Sequence, residues 1–125
     1  MTRFFPPAER DVKADVRDYL ASIGAWWFMP VNRSRAGIPD FIVCYRGRLI
    51  AIETKRPRKK GVPKASPHQQ REIEAIRAAG GYALVVSDVS KLKALITTLD
   101  WVQTKVAANV VRPPSQHAGL RDVAP

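Results

Sequence analysis

Apolar residues recur at helical spacing between positions 8 and 23, where Val12, Val16, Tyr19, Leu20 and Ile23 fall on one face. Gly24 supplies the stop, so the pattern predicts an amphipathic helix over 8–23. Trp26 to Val31 reads as a short strand, and the polar, glycine-bearing stretch from Asn32 to Ile38 as an arginine-rich loop. Phe41 to Tyr45 and Leu49 to Lys55 are apolar, partly β-branched runs joined by Arg46-Gly47-Arg48, and a hairpin is the simplest reading. The strongly basic stretch from Arg56 to Lys64, broken by Pro57, Gly61 and Pro63, predicts an exposed loop. Ser66-Pro67-His68-Gln69 then combines an N-cap, a proline at the first helical position and a capping-box glutamine, opening a helix that runs to about Ala79 and ends at Gly80-Gly81. Tyr82 to Val86 is a buried-looking strand, and Ser87 or Asp88 caps a further helix that carries Leu92, Leu95, Ile96 and Leu99 inward. Beyond Trp101, Val106, Val110 and Val111 suit helix or strand equally, and Pro113-Pro114 begins a polar tail.

The predicted order is helix, two or three strands, helix, strand, helix. That is an α/β domain with a mixed sheet and helices packed on its faces. The 125 residues fall within the usual size of one domain. The reading divides them into a domain over 1–101, with its core at 9–88, and a C-terminal extension over 102–125.

The charge of the chain is more distinctive than its composition. The chain is 46% hydrophobic and 26% charged, as an ordinary folded domain is. Its 21 Lys and Arg against 11 Asp and Glu leave a net charge of +10, more than solubility needs and attractive to a polyanion. Nucleic acid is the first candidate. Anionic membrane is the rival, but the longest apolar run, Ala25 to Met29, is far too short to span a bilayer, so no membrane partner is expected. Arg3 followed by Phe4-Phe5-Pro6-Pro7 lacks the apolar stretch of a signal peptide, and a cytoplasmic protein is expected. The single Cys44 lies in an apolar strand-like run and is expected to pack as a small hydrophobe; neither histidine is near it in sequence to make it a catalytic thiol.

The hairpin carries the candidate chemistry. If Arg46 and Gly47 form a two-residue turn, Tyr45 faces Arg48, and counting outward sets Asp40 opposite Glu53, with β-carbons roughly 5 Å apart. Two carboxylates that close repel one another and call for a cation. Lys55 shares a face with Glu53, because residues two apart in a strand point the same way. Oxygen ligands with room for water suit Mg²⁺ or Mn²⁺, and the backbone carbonyl of Thr54 is a further candidate ligand. Such a centre can activate water and polarise a phosphoryl oxygen, with Lys55 orienting water or offsetting developing charge. The plainer alternative is that Glu53 and Lys55 are a solvated strand-end pair.

Flanking residues extend the site. At about 100° per residue, Glu9 falls within the apolar stripe of the first helix, whereas Asp11, Asp15 and Asp18 fall on the other side. Helix-dipole complementation explains an acid in the first turn but not its position on the apolar side. Gln69 has two readings, because a capping-box glutamine can be satisfied by the Ser66 amide alone. Arg33, Arg35, Arg56, Arg58, Lys59, Lys60 and Lys64 flank the acids, where positive charge would let a phosphate backbone approach. His68 is close to the motif but is equally well read as an exposed helix-start residue.

Taken together, Glu9, Gly37-Ile38-Pro39-Asp40, Glu53-Thr54-Lys55 and Ser66-Pro67-His68-Gln69, followed by Gly80, resemble the VRR-NUC family of the PD-(D/E)XK nuclease superfamily over residues 9 to about 88. The resemblance implies that Asp40, Glu53 and Glu9 bind metal, that Lys55 is the catalytic lysine, and that Gln69 belongs to the site. It implies Mg²⁺ or Mn²⁺ dependence and a restriction-endonuclease-like αβββαβ core. Stand-alone members are similar to Holliday junction resolvases, so branched or junction DNA and a homodimer are the expected substrate and assembly. The chain departs from the family in its longer, more basic 56–65 loop and in the tail after Trp101. A structure-selective DNA endonuclease is the first functional expectation; a non-catalytic basic nucleic-acid-binding module, using aromatics such as Trp26 and Trp27, is the alternative.

Overall fold

The computed structural model of the protein describes residues 8–31, 35–58, 61 and 64–109. Within them the order is α1 (Glu9–Ser22), β1 (Trp26–Phe28), β2 (Phe41–Tyr45), β3 (Arg48–Thr54), α2 (Pro67–Ala78), β4 (Tyr82–Val86) and α3 (Ser90–Asn109). The chain divides into two compact units, one ending at Lys93 and the other beginning at Ala94. No helix of the described residues is long and apolar enough to cross a membrane.

The first unit is a four-stranded mixed sheet, in the order β1-β2-β3-β4, with helices against it. β1, β2 and β3 are antiparallel neighbours, and β4 joins β3 in parallel. Parallel neighbours need a crossover, which α2 provides. The predicted α/β class and mixed sheet are therefore observed. β1 stops at Phe28, earlier than the expected Val31, and Pro30 gives the reason: it has no N–H to donate to a ladder.

The hairpin turn falls where the pattern set it. Arg46 and Gly47 both have positive φ, 49° and 75°, and Tyr45 pairs with Arg48. Two left-handed residues are what a type I′ turn requires. The strained Arg46 carries its guanidinium 5.5 Å from the Tyr45 ring centroid.

Alternation along β3 sends Ile50 and Ile52 to one face and Ala51 and Glu53 to the other. Ala51 packs with Ala65, Ile73 and Ala83, with Ile42, Ile76 and Val85 beside them, so the small residues leave room for α2. The opposite face, with Phe41, Val43, Ile50 and Ile52, is fully buried, as are Val16 and Leu20 of α1, which lies against β3. Each such side chain contributes about 1.5–3 kcal/mol on burial. Glu53 and Thr54 interrupt this apolar pattern, being the buried polar residues among those described.

Cys44 is exposed, contrary to the expected core position. It pairs with Trp26 on one side and Leu49 on the other, and both are also exposed. α2 packs on β3 and β4, which leaves this part of the sheet face open to solvent. The third helix begins at Ser90, with the Asp88 carboxylate accepting from the Ser90 N–H at 2.7 Å. Helix then continues past Trp101, which settles the open reading of Val106; Val110 and Val111 lie outside the described residues.

Gly37 ties the segment before β2 to the start of α2. Its φ is +83°, and a β-carbon there would lie 2.3 Å from the His68 carbonyl oxygen and 2.8 Å from the Gln69 nitrogen. Gly47 has φ +75° with nothing within 4 Å. Gly37→Ala should therefore cost about 2–4 kcal/mol, from strain and a backbone collision together, whereas Gly47→Ala should cost only about 1 kcal/mol. Urea unfolding of both variants checks the contrast, and equal losses would count against the tight contact.

Candidate active site

The end of the sheet where β2 begins and β3 ends gathers acids from three elements. The register that pairs Phe41 with Ile52 leads, one step further out, to Asp40 and Glu53. Asp40 is anchored by Thr54, whose backbone N–H and hydroxyl both donate to Asp40 Oδ2, at 2.8 and 2.7 Å. Its second oxygen, Oδ1, lies 3.8 Å from the Lys13 ammonium of α1. Glu9 starts α1, and one carboxylate oxygen from each of Glu9, Asp40 and Glu53 lies within 4.8 Å of the others.

Glu53 is the most constrained of the three, at 3% exposure. Its Oε1 accepts from the Gln69 side-chain amide at 2.8 Å and lies 3.7 Å from Lys55 Nζ. Among the described residues its Oε2 is buried with no hydrogen-bond partner. An orphaned buried acceptor costs about 1–3 kcal/mol, and more when charged. Burial, followed by the negative charge of Asp40, pushes the Glu53 carboxyl up to about 8, against a smaller opposing pull from Lys55. Without a cation, Glu53 holds its proton at neutral pH.

Both readings of Gln69 hold at once. Ser66 caps α2, its hydroxyl accepting from the Gln69 N–H, and the Gln69 side-chain oxygen accepts from the Ser66 N–H at 2.8 Å. The same oxygen accepts from Lys55 Nζ at 2.8 Å while the amide nitrogen donates to Glu53. An amide can do this because it offers an acceptor and a donor on one rigid plane. A glutamate at this position would lack the donor.

The residues fit a hard divalent cation. All three convergent groups offer oxygen, the cluster is anionic, and one buried oxygen lacks any partner. Thr54 holds Asp40 through its N–H and hydroxyl, a contribution distinct from the carbonyl ligand expected of it. Neither that contribution nor Lys13 was foreseen from sequence. Lys13 left a signal, standing four residues after Glu9 and hence on the same helical face.

The basic flank is distributed unevenly. Arg56, Arg58 and Lys64 are exposed after β3. Arg35 is engaged with Glu72 of α2, donating through Nε and Nη2 at 3.2 and 2.9 Å. Arg33, Lys59 and Lys60 lie outside the described residues. His68 is exposed at the start of α2, beside Arg71.

No protein-family model matches the chain, and neither does any curated protein. Among solved structures, a chain described as "VRR_NUC domain" matches with a TM-score of 0.61 and 26% sequence identity, over 73% of this chain and 97% of that one. The likeness supports VRR-NUC family membership, and the mixed sheet flanked by helices is consistent with that restriction-endonuclease-like fold.

The raised Glu53 pKa makes the metal-free fold pH-dependent. Folded Glu53 keeps a proton that the unfolded chain releases above its ordinary value of 4.5, so its contribution to stability is full below that value and is lost as pH rises toward about 8. In EDTA, Glu53→Gln should therefore gain on the unsubstituted chain as pH rises from about 5 to about 9, by on the order of 2–4 kcal/mol. Denaturant titrations across that range test this, and parallel pH profiles would show that Glu53 is ionised throughout.

Proposed function

We propose that this chain is a metal-dependent nuclease that hydrolyses DNA phosphodiester bonds, with Glu9, Asp40 and Glu53 holding Mg²⁺ or Mn²⁺ and Lys55 serving the reaction. One observation carries the reading: Glu53 presents a buried, unpartnered oxygen in a cluster with Glu9 and Asp40, while its other oxygen is coupled through Gln69 to Lys55. The likeness to a VRR_NUC domain supports a nuclease-type function, and the net charge of +10 supports a polyanionic substrate.

When bound, the cation supplies Lewis acidity toward a phosphoryl oxygen and lowers the pKa of water. The residues supply the rest. Thr54 fixes one Asp40 oxygen and Gln69 fixes one Glu53 oxygen, which leaves the second oxygen of each acid for the cation. Gln69 also restrains the Lys55 ammonium beside Glu53, where it can orient the attacking water or offset charge gathering on the phosphate. Water adds to phosphorus and gives up a proton to solvent, the ester P–O bond breaks, and the strand leaves as an alkoxide that takes up a proton from solvent, so that one water is consumed in all. Arg56, Arg58 and Lys64, all exposed, are suited to phosphates along the approaching strand. Arg33, Arg35, Lys59 and Lys60 extend that reading, as does the Thr54 carbonyl as a further metal ligand. Branched or junction DNA, cut by paired copies of the chain, is its finer form and rests on the family resemblance.

Asp40→Asn and Glu53→Gln should each reduce Mg²⁺- or Mn²⁺-dependent cutting by at least about 100-fold, while DNA binding is kept or strengthened by the loss of negative charge. Nicking assays beside gel shifts, on a panel of junction, flap, nicked and linear DNAs with each metal or EDTA, give the answer. Undiminished cutting by Glu53→Gln would overturn the site assignment. Replacing Arg56 and Arg58 together by Ala should weaken binding on every substrate and flatten its logarithmic salt dependence by about two. An unchanged slope would remove that segment from the DNA surface.

A further inference from the structure

Lys13 is a cation facing the acidic cluster that the reaction outlined above does not use. It follows Glu9 by one helical turn, and its side chain is 32% exposed. The nitrogen lies 3.8 Å from Asp40 Oδ1, an ion-pair distance too long for a good hydrogen bond. Asp40 does not need this contact to hold its orientation, because Thr54 already fixes its other oxygen with two hydrogen bonds. The ammonium therefore stands at the Asp40 oxygen that Thr54 does not hold, on one of the three acids whose oxygens converge.

We infer that Lys13 is an exchangeable counter-ion of the metal site, pairing with Asp40 in the metal-free protein and turning to a substrate phosphate when a divalent cation takes that oxygen. The inference rests on the nuclease reading for its second half only. A divalent cation at Asp40 Oδ1 and an ammonium beside it repel one another, so binding of the first weakens the hold on the second. A partly exposed lysine has a flexible four-carbon stem with which to swing away. The group facing Lys13 is the Asp40 carboxylate, so the phosphate of a bound strand is the natural replacement partner once that charge has been neutralised. Lys13 and Lys55 would then approach the phosphate from opposite ends of the cluster, one beside Asp40 and the other beside Glu53.

This arrangement gives Lys13→Gln two effects of opposite sign. Calorimetric titration of the protein with Mn²⁺ alone should give about two- to fivefold tighter binding, because a competing charge is gone. Cleavage of DNA at saturating Mn²⁺ should fall by about tenfold in kcat/KM, because a phosphate contact is gone. Lys13→Arg should return Mn²⁺ affinity to that of the unsubstituted chain and recover most of the cleavage. A merely structural lysine would lose Mn²⁺ affinity and cleavage together, through a displaced Asp40, and that result overturns the inference. Unchanged Mn²⁺ affinity beside normal cutting also overturns it and leaves the nuclease reading intact. Tighter Mn²⁺ binding by Lys13→Gln, in a chain that cuts no DNA even unsubstituted, would instead sink the nuclease reading while upholding the competition at Asp40. Melting in EDTA verifies that both variants are folded.

Discussion

One buried carboxylate organises this protein. Glu53 follows the buried apolar run Ile50-Ala51-Ile52 of β3, and desolvation makes its charge expensive there. Its environment satisfies one oxygen and leaves the other without a donor. Such an arrangement is a liability for a purely structural residue, since a buried carboxylate gains most when both oxygens are bonded. It becomes intelligible beside two more carboxylates, Glu9 and Asp40, each with an oxygen within 4.8 Å of the others, an arrangement that fits a shared cation.

The supporting structure follows from keeping that group in position. Thr54, next along the strand, points to the other side of the pleat and uses its hydroxyl and N–H on Asp40, so consecutive residues of β3 serve neighbouring acids. Gln69 converts a helix cap into part of the site: the oxygen that satisfies the Ser66 N–H also holds Lys55. Gly37 lets the segment before Asp40 rest on the backbone of that same helical turn. Loss of any of these would move the acids relative to the lysine, and displacements of an ångström are enough to matter for chemistry of this kind.

The likeness to a VRR_NUC domain and the polar geometry point the same way from independent grounds, one in the path of the chain and the other in the hydrogen bonds. Charge ties them together. A chain at +10 draws a polyanion in, while the acids at the sheet end would repel it unless neutralised. On the nuclease reading a shared cation would reconcile the two, with Lys13 beside Asp40 and Lys55 beside Glu53.

Local patterns were enough to specify much of this. The Arg46-Gly47 turn carries its own conformational preference, so the hairpin register, and with it the meeting of Asp40 and Glu53, could be counted from residues alone. The Ser66-Pro67-His68-Gln69 signature likewise marked where α2 begins, because capping is a contact among four consecutive residues. Packing between distant segments decided the rest. Whether Cys44 is buried depends on which strands α2 covers, a matter of inter-element packing that no strand pattern records. The second bond of Gln69, the grip of Thr54 on Asp40 and the position of Lys13 all join residues at least 14 apart in the chain or on different elements. Short-range preferences select the elements, but only their docking determines which side chains share an oxygen, an amide or a charge.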